Sequence, residues 1–193
     1  MPGKKMRLAA LGMGLALALG CLASSSTSSW QLAAKDQADW KRRSVPGAKI
    51  SVELPIEPQR TAVELTEQTR KQVAGVQASR VQVGGVIFRF SYLEYPDGTN
   101  VDLDRAASGA ISNLTSSTNV TEVKFKRTEL KVSGVPGIRL ETSYQYQGKL
   151  ASYWIVIVGE GKRLWQSSAM FRTLDRDQES MVRRVLDSVR LEK

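Results

Sequence analysis

Residues 76–95 read VQASRVQVGGVIFRFSYLEY. Gly84-Gly85 divides two β-rich runs, the sequence mark of a tight two-residue hairpin, because glycine tolerates the positive φ such turns demand. On the second arm Val86, Phe88, Phe90 and Tyr92 alternate with Ile87, Arg89 and Ser91. A period of two puts the first set on one face of a strand, and that face belongs deep in a core. The stretch predicts an antiparallel hairpin inside a sheet.

The same period recurs upstream. Over Ala48 to Leu54, Ile50, Val52 and Leu54 point one way and Lys49, Ser51 and Glu53 the other, as in a half-buried strand. Pro46-Gly47 is a turn signal, so Trp40 to Val45 is read as the partner strand. Pro55 and Pro58 stop the ladder, since proline offers it no N–H. Residues 60–67 (RTAVELTE) allow one more short strand.

Downstream, Pro96-Asp97-Gly98 ends the central hairpin. Asp102 or Asp104 then caps a helix running to about Asn113, with Leu103, Ala106, Ala107, Ala110, Ile111 and Leu114 on one apolar stripe. After the loop TSSTNV, strands are expected over Val120 to Val132, Gly137 to Gln147, Leu150 to Val158 and Lys162 to Phe171. The continuous apolar run Ile155 to Val158 marks a strand covered on both faces. A closing helix from about Arg176 to Val189, capped by Asp175 or Asp177, carries Val182, Val185, Leu186 and Val189 at i, i+3, i+4 and i+7. The fold class is α+β, a mostly antiparallel sheet with two main helices packed on it.

The chain has 193 residues, a hydrophobic fraction of 41%, one cysteine and no histidine. That suffices for one core without disulfides. Without histidine there is no Ser-His-Asp triad, no Cys-His dyad and no His-ligated zinc. With one cysteine there is no intrachain disulfide and no Cys-rich metal site. Carboxylate, Lys, Tyr or Ser–Lys chemistry is what remains for an enzyme.

The N-terminal residues 1–20 divide as a secretory signal does: Lys4, Lys5 and Arg7, then a charge-free run from Leu8 to Gly20. The run is shorter than the ~20 apolar residues that span a bilayer. It ends in Leu17-Ala18-Leu19-Gly20-Cys21, which resembles the lipobox of bacterial lipoproteins. The resemblance implies cleavage before Cys21 and acylation of Cys21, the lipid-attachment residue. Several acyl chains together anchor stably, whereas one anchors marginally. Leu22, where an Asp would favour retention in the inner membrane, implies an outer-membrane destination facing the periplasm. Loss of residues 1–20 removes three basic side chains, so the formal charge of +9 falls by three to +6. Residues 21–39 are then the lipidated Cys and a Ser-rich tether. The tract ASSSTSS at 23–29 has an r.m.s. reach on the order of 15 Å. Trp30 to Asp39 is read either as a short helix or as more tether. Residues 40–193 form one globular domain.

The stretches WKRRSVPGAKISVELPIEP, FRFSYLEYP, VSGVPGIRLE, GKRLWQSSAMF and VLDSV together resemble a family of exported bacterial proteins with a PsbP-like α/β sandwich. The resemblance covers residues 40–191. It implies an opening hairpin ended by Pro, a strand ending in Tyr-Pro before a helix, and a Gly-x-Pro-Gly turn leading into the sheet. At position 49 the family often has a hydrophobe or aromatic; here Lys49 stands there and Ile50 takes the core role. The resemblance implies an accessory or binding module rather than an enzyme.

Residue by residue, the chemistry is sparse. Asp97, Asp102 and Asp104 lack the ligand spacing of a calcium loop and suit a helix N-terminus. No phosphate-binding glycine motif lies between a strand and a helix. Lys41-Arg42-Arg43 and Lys124, Lys126, Arg127 and Lys131 are read as solvated strand faces and aggregation-blocking edge lysines, with an anionic envelope component as the alternative. Trp154, Trp165, Phe88, Phe90, Tyr144 and Tyr146 are read as core, with a pocket for a small apolar ligand as the alternative. Trp30 and Trp40 are the aromatics placed to meet a membrane or partner.

These readings add up to a bacterial lipoprotein held to a membrane through Cys21, non-enzymatic, without cofactor, catalytic residues or metal. Its partner is an envelope protein or anionic envelope component, and not nucleic acid. A carboxylate-based envelope hydrolase and a small-molecule carrier are the alternatives.

Overall fold

The computed structural model describes residues 39–63, 65 and 67–192. The expected signal at 1–20, Cys21, Trp30 and nearly all of the expected tether lie outside the described residues.

Ten strands and three helices follow in the order β1 (Lys41–Val45), β2 (Ile50–Leu54), β3 (Gln59–Thr61), α1 (Glu67–Arg70), β4 (Gly75–Val83), β5 (Val86–Glu94), α2 (Leu103–Thr115), β6 (Val120–Val132), β7 (Val135–Tyr146), β8 (Lys149–Glu160), β9 (Arg163–Arg172), α3 (Arg176–Asp187) and β10 (Arg190–Leu191). All strand pairs are antiparallel. Seven strands form one sheet in the order β3-β4-β5-β9-β8-β7-β6, and three form a second in the order β1-β2-β10. The α+β sheet-and-helix architecture is as expected. The opening hairpin, however, forms its own small sheet, completed by β10.

The central hairpin has the expected register, with Val83 opposite Val86. Gly84 and Gly85 take φ of +54° and +81°, which a side chain rarely adopts. Val86, Phe88 and Phe90 are fully buried, and Tyr92 is nearly so. They join Val182, Val185 and Leu186 of α3 and Ile50, Val52 and Leu54 of β2 in the main core. The small sheet and α3 thus cover one face of the large sheet.

On the other face α2 rests on β6, β7 and β8. Its stripe meets Ile138, Leu140, Ile155 and Ile157 in a second core. Gly159 permits this approach: a Cβ there would come within 2.6 Å of Val101 Cγ1, just ahead of the helix. Ile155 to Val158 are buried throughout, as their apolar run requires of an interior strand.

Asp102 caps α2 by accepting from Arg105 N–H at 2.9 Å, and Asp175 caps α3 by accepting from Gln178 N–H at 3.0 Å. Two sequence expectations are corrected. The strand allowed over 60–67 is confined to β3, which pairs with only Arg80, Ser79 and Ala78. The one-turn α1, with Glu67 in its first turn and Arg70 in its last, follows instead. The closing helix stops at Asp187, because Arg190 and Leu191 are recruited by β2 as a third strand.

Candidate functional site

The residues singled out in the sequence are mostly engaged in the fold. Arg43 donates to the Leu54 carbonyl at 2.9 Å and the Pro55 carbonyl at 3.0 Å and pairs with Glu57. Arg42 donates to the Ser188 carbonyl at 2.9 Å. Two members of that basic run are therefore occupied within the small sheet. Trp40 packs against the main core beneath Arg184, whose guanidinium carbon lies 4.2 Å from the ring centroid. Half-buried in this way, Trp40 has a role within the domain.

Nor do the carboxylates converge. Asp97 takes a hydrogen bond from Lys162 at 2.8 Å, Asp102 caps α2, and Asp104 pairs with Arg127. Lys162 also reaches Glu94 at 2.9 Å. Its hydrogen bond and charge hold both Glu94 and Asp97 below their ordinary carboxylate range, while the two acids push Lys162 up to about 12. Glu94 accepts as well from Tyr92 Oη at 3.2 Å. Lys49, at φ +52° in the first turn, lies 4.5 Å from the centroid of the Tyr92 ring. These contacts link the end of β5 and the turn after it to the start of β9.

The aromatics fill the interior. Trp154, Trp165, Phe88, Phe90 and Tyr144 are buried, with Trp154 edge-on to Phe171 at 5.4 Å and Tyr92 tilted against Trp165 at 5.7 Å. Lys124 and Lys126 are exposed on β6, an edge strand of the large sheet, beside exposed Phe125. A groove of about 460 Å³ between the start of α2 and β6 and β7 holds the Arg127–Asp104 pair, so its charges are already matched.

One surface stands apart. Strand alternation sets Arg80 of β4, Arg89 and Ser91 of β5 and Gln166 and Ser168 of β9 on the same face as α2, beyond the strands on which that helix rests; Tyr153 of β8, packed against the core beneath the helix, borders them. Arg80 and Arg89 lie directly opposite each other, and Arg89 lies opposite Ser168, so one row crosses three strands. Arg80 is exposed, Arg89, Gln166 and Tyr153 are half-buried, and Ser91 and Ser168 are buried. Among the described residues no carboxylate pairs with either arginine. Burial first, and then the charge of Arg80, hold Arg89 below the ordinary arginine range. Burial pushes the Tyr153 phenol up, against smaller opposing effects of a Ser168 hydrogen bond and Arg89, so at neutral pH it is a hydroxyl donor. Ser168 Oγ donates to the Arg89 carbonyl at 3.4 Å.

The sequence contains the signal for this row, although its residues were not singled out. A two-residue turn that puts Val83 opposite Val86 also puts Arg80 opposite Arg89. Each arginine read alone is an ordinary outward residue of an alternating strand.

No family model matches the chain, and no curated relative matches it in sequence. Among solved structures, cyanobacterial PsbP (CyanoP) from Synechocystis sp. PCC 6803 is similar with a TM-score of 0.57 at 12% identity, over 88% of this chain and 98% of that one. A Bacteroides thetaiotaomicron structure gives a TM-score of 0.45 at 14% identity over 80% of this chain, which spans 49% of that chain's length. LpqN, described as involved in cell envelope biogenesis of Mycobacterium tuberculosis, gives 0.42 at 15% identity, over 77% and 86% of the two chains. At 12% identity the likeness to CyanoP is one of fold: the chain has a PsbP-like sandwich.

Proposed function

We propose that this chain is a lipoprotein of the bacterial cell envelope, anchored through acylated Cys21, whose PsbP-like domain is a non-enzymatic accessory or binding module. The lipobox-like LALGC at 17–21 and the Ser-rich tract after it support the anchoring. A tether of this kind raises a module's effective concentration at the membrane surface. One observation carries the binding role: Arg80 and Arg89, with no acid partner among the described residues, face each other on an open sheet face, while the large aromatics are packed in the core and Asp97, Asp102 and Asp104 have structural duties. The partner is an envelope protein or an anionic envelope component rather than nucleic acid, and the favoured address is the outer membrane facing the periplasm.

Fractionation and intact mass of the native protein test the anchor. Cys21→Ser is expected to abolish the acyl mass and move the protein from the membrane fraction to the soluble one. A Cys21→Ser protein that still sediments with membranes and matures normally would overturn the anchoring.

A further inference from the structure

We infer that the facing pair Arg80–Arg89, with Tyr153 and Gln166 beside it, is a binding site for a phosphate group. The inference rests on the binding role proposed above and gives that open face a ligand chemistry.

Two like charges directly opposite on neighbouring strands destabilise a sheet. Facing Cβ atoms stand only about 4.5–5.5 Å apart. Elsewhere on this molecule several cations have acids beside them: Lys162 has Glu94 and Asp97, Arg139 has Asp187, Arg183 has Glu141 and Glu179. Arg80 and Arg89 have none among the described residues, and Arg89 is half-buried as well. An external anion between the two guanidinium groups supplies the missing charge.

The neighbours specify which anion. Guanidinium is a planar fork suited to oxyanions, and two of them match the charge of a phosphate dianion. The Tyr153 hydroxyl can donate to a further oxygen, and Gln166, whose Oε1 accepts from Ser91 at 3.4 Å, offers its amide N–H groups. The next face-sharing residues, Gln82 and Ile87 on one side and Ala78 and Ser91 on the other, carry no negative charge to repel such a ligand. Phosphate has two sources in an envelope, free in solution or in a lipid headgroup.

The full chain, purified in detergent, is titrated with inorganic phosphate and followed by calorimetry and by its thermal midpoint. In parallel the Cys21→Ser chain is mixed with vesicles of phosphatidylglycerol or of phosphatidylcholine alone. The variants are Arg80→Gln, Arg89→Gln and Arg80→Lys, with Lys124→Gln on the far edge strand as control. Saturable heat with a rise in thermal midpoint, weakened about tenfold or more by Arg89→Gln or Arg80→Gln, supports the site with free phosphate as ligand. Binding confined to phosphatidylglycerol vesicles and lost in the same variants supports it with a headgroup as ligand. Arg80→Lys keeps the charge and loses the fork, so it should weaken binding less than Arg80→Gln. Each glutamine variant relieves the repulsion and should melt no lower than the parent without phosphate. No response to either phosphate source, or a response that both glutamine variants retain, overturns the site. Neither arm depends on Cys21, so these outcomes are separate from failure of the anchor.

Discussion

Lys162 is a residue on which two acids converge. It bridges Glu94 and Asp97 and so joins the end of β5 to the turn that follows it and to the start of β9. Asp97 is exposed and Glu94 and Lys162 are partly open to solvent, so their mutual effect is a matter of titration more than of stability. The sign differs at the two ends of the pH scale. Glu94 and Asp97 are held down, so their contribution is complete above the ordinary carboxylate values near 4 and fades as pH falls through the depressed ones. Lys162 is pushed up, so its contribution is complete below 10.5 and fades as pH rises through about 12. Lys162→Met should return both carboxyl groups upward in a carbon-detected NMR titration; unchanged midpoints would contradict the bridge. Asp97 was legible in the sequence only as a turn residue beside helix-capping acids. Its partner lies 65 positions away, and no local pattern connects the two.

Among the elements, α3 shows how far local pattern reaches. Val182, Val185 and Leu186 share one face, Asp175 caps the start, and the helix forms where the spacing predicted. Leu186 is 2% exposed between the two sheets. Leu186→Ala should therefore lower stability by about 2–5 kcal/mol, through lost burial and the cavity left behind. A drop in the urea midpoint at unchanged slope would register this; a loss below 1 kcal/mol would mean the site collapses around the smaller side chain. By contrast α1 has four residues and β10 two, each too short to display a period. The second of these exists because β2 leaves backbone groups to pair, a demand set by the tertiary fold. The edge lysines of β6 were legible, since strand lysines beside an exposed Phe125 are how natural edges discourage pairing with another chain.

At the level of the whole molecule, the alternating strands and two helical stripes were enough to give an antiparallel α+β sandwich. The division into two sheets was not legible, because a hairpin pattern reports its own pairing and not which sheet it joins. The binding face was hidden for a related reason: register must be propagated from Gly84-Gly85 before Arg80 and Arg89 are seen as neighbours. The packed cores and engaged acids leave that open face as the distinctive chemistry of the described domain.

The small sheet also orders events in time. The pairs β4–β5, β6–β7, β7–β8 and β8–β9 are hairpins of sequential neighbours, and each can close as soon as its own residues are available. In the second sheet only the β1–β2 hairpin can do so. Its β2 waits for β10, and the Glu53 N–H is received by Ser188 Oγ at 2.8 Å across 135 positions of chain. Closing so long a loop carries an entropy cost that local hairpins avoid and slows the step that needs it. In refolding followed by pulsed hydrogen exchange, amides of β7 and β8 should become protected before those of β2 that face β10; simultaneous protection would show that the two sheets form together. The earliest strands to be synthesised are thus among the last to be secured, and a ribosome or translocation channel releasing this chain in order would hold a half-built sandwich, its Ile50, Val52 and Leu54 still waiting for the final helix and strand.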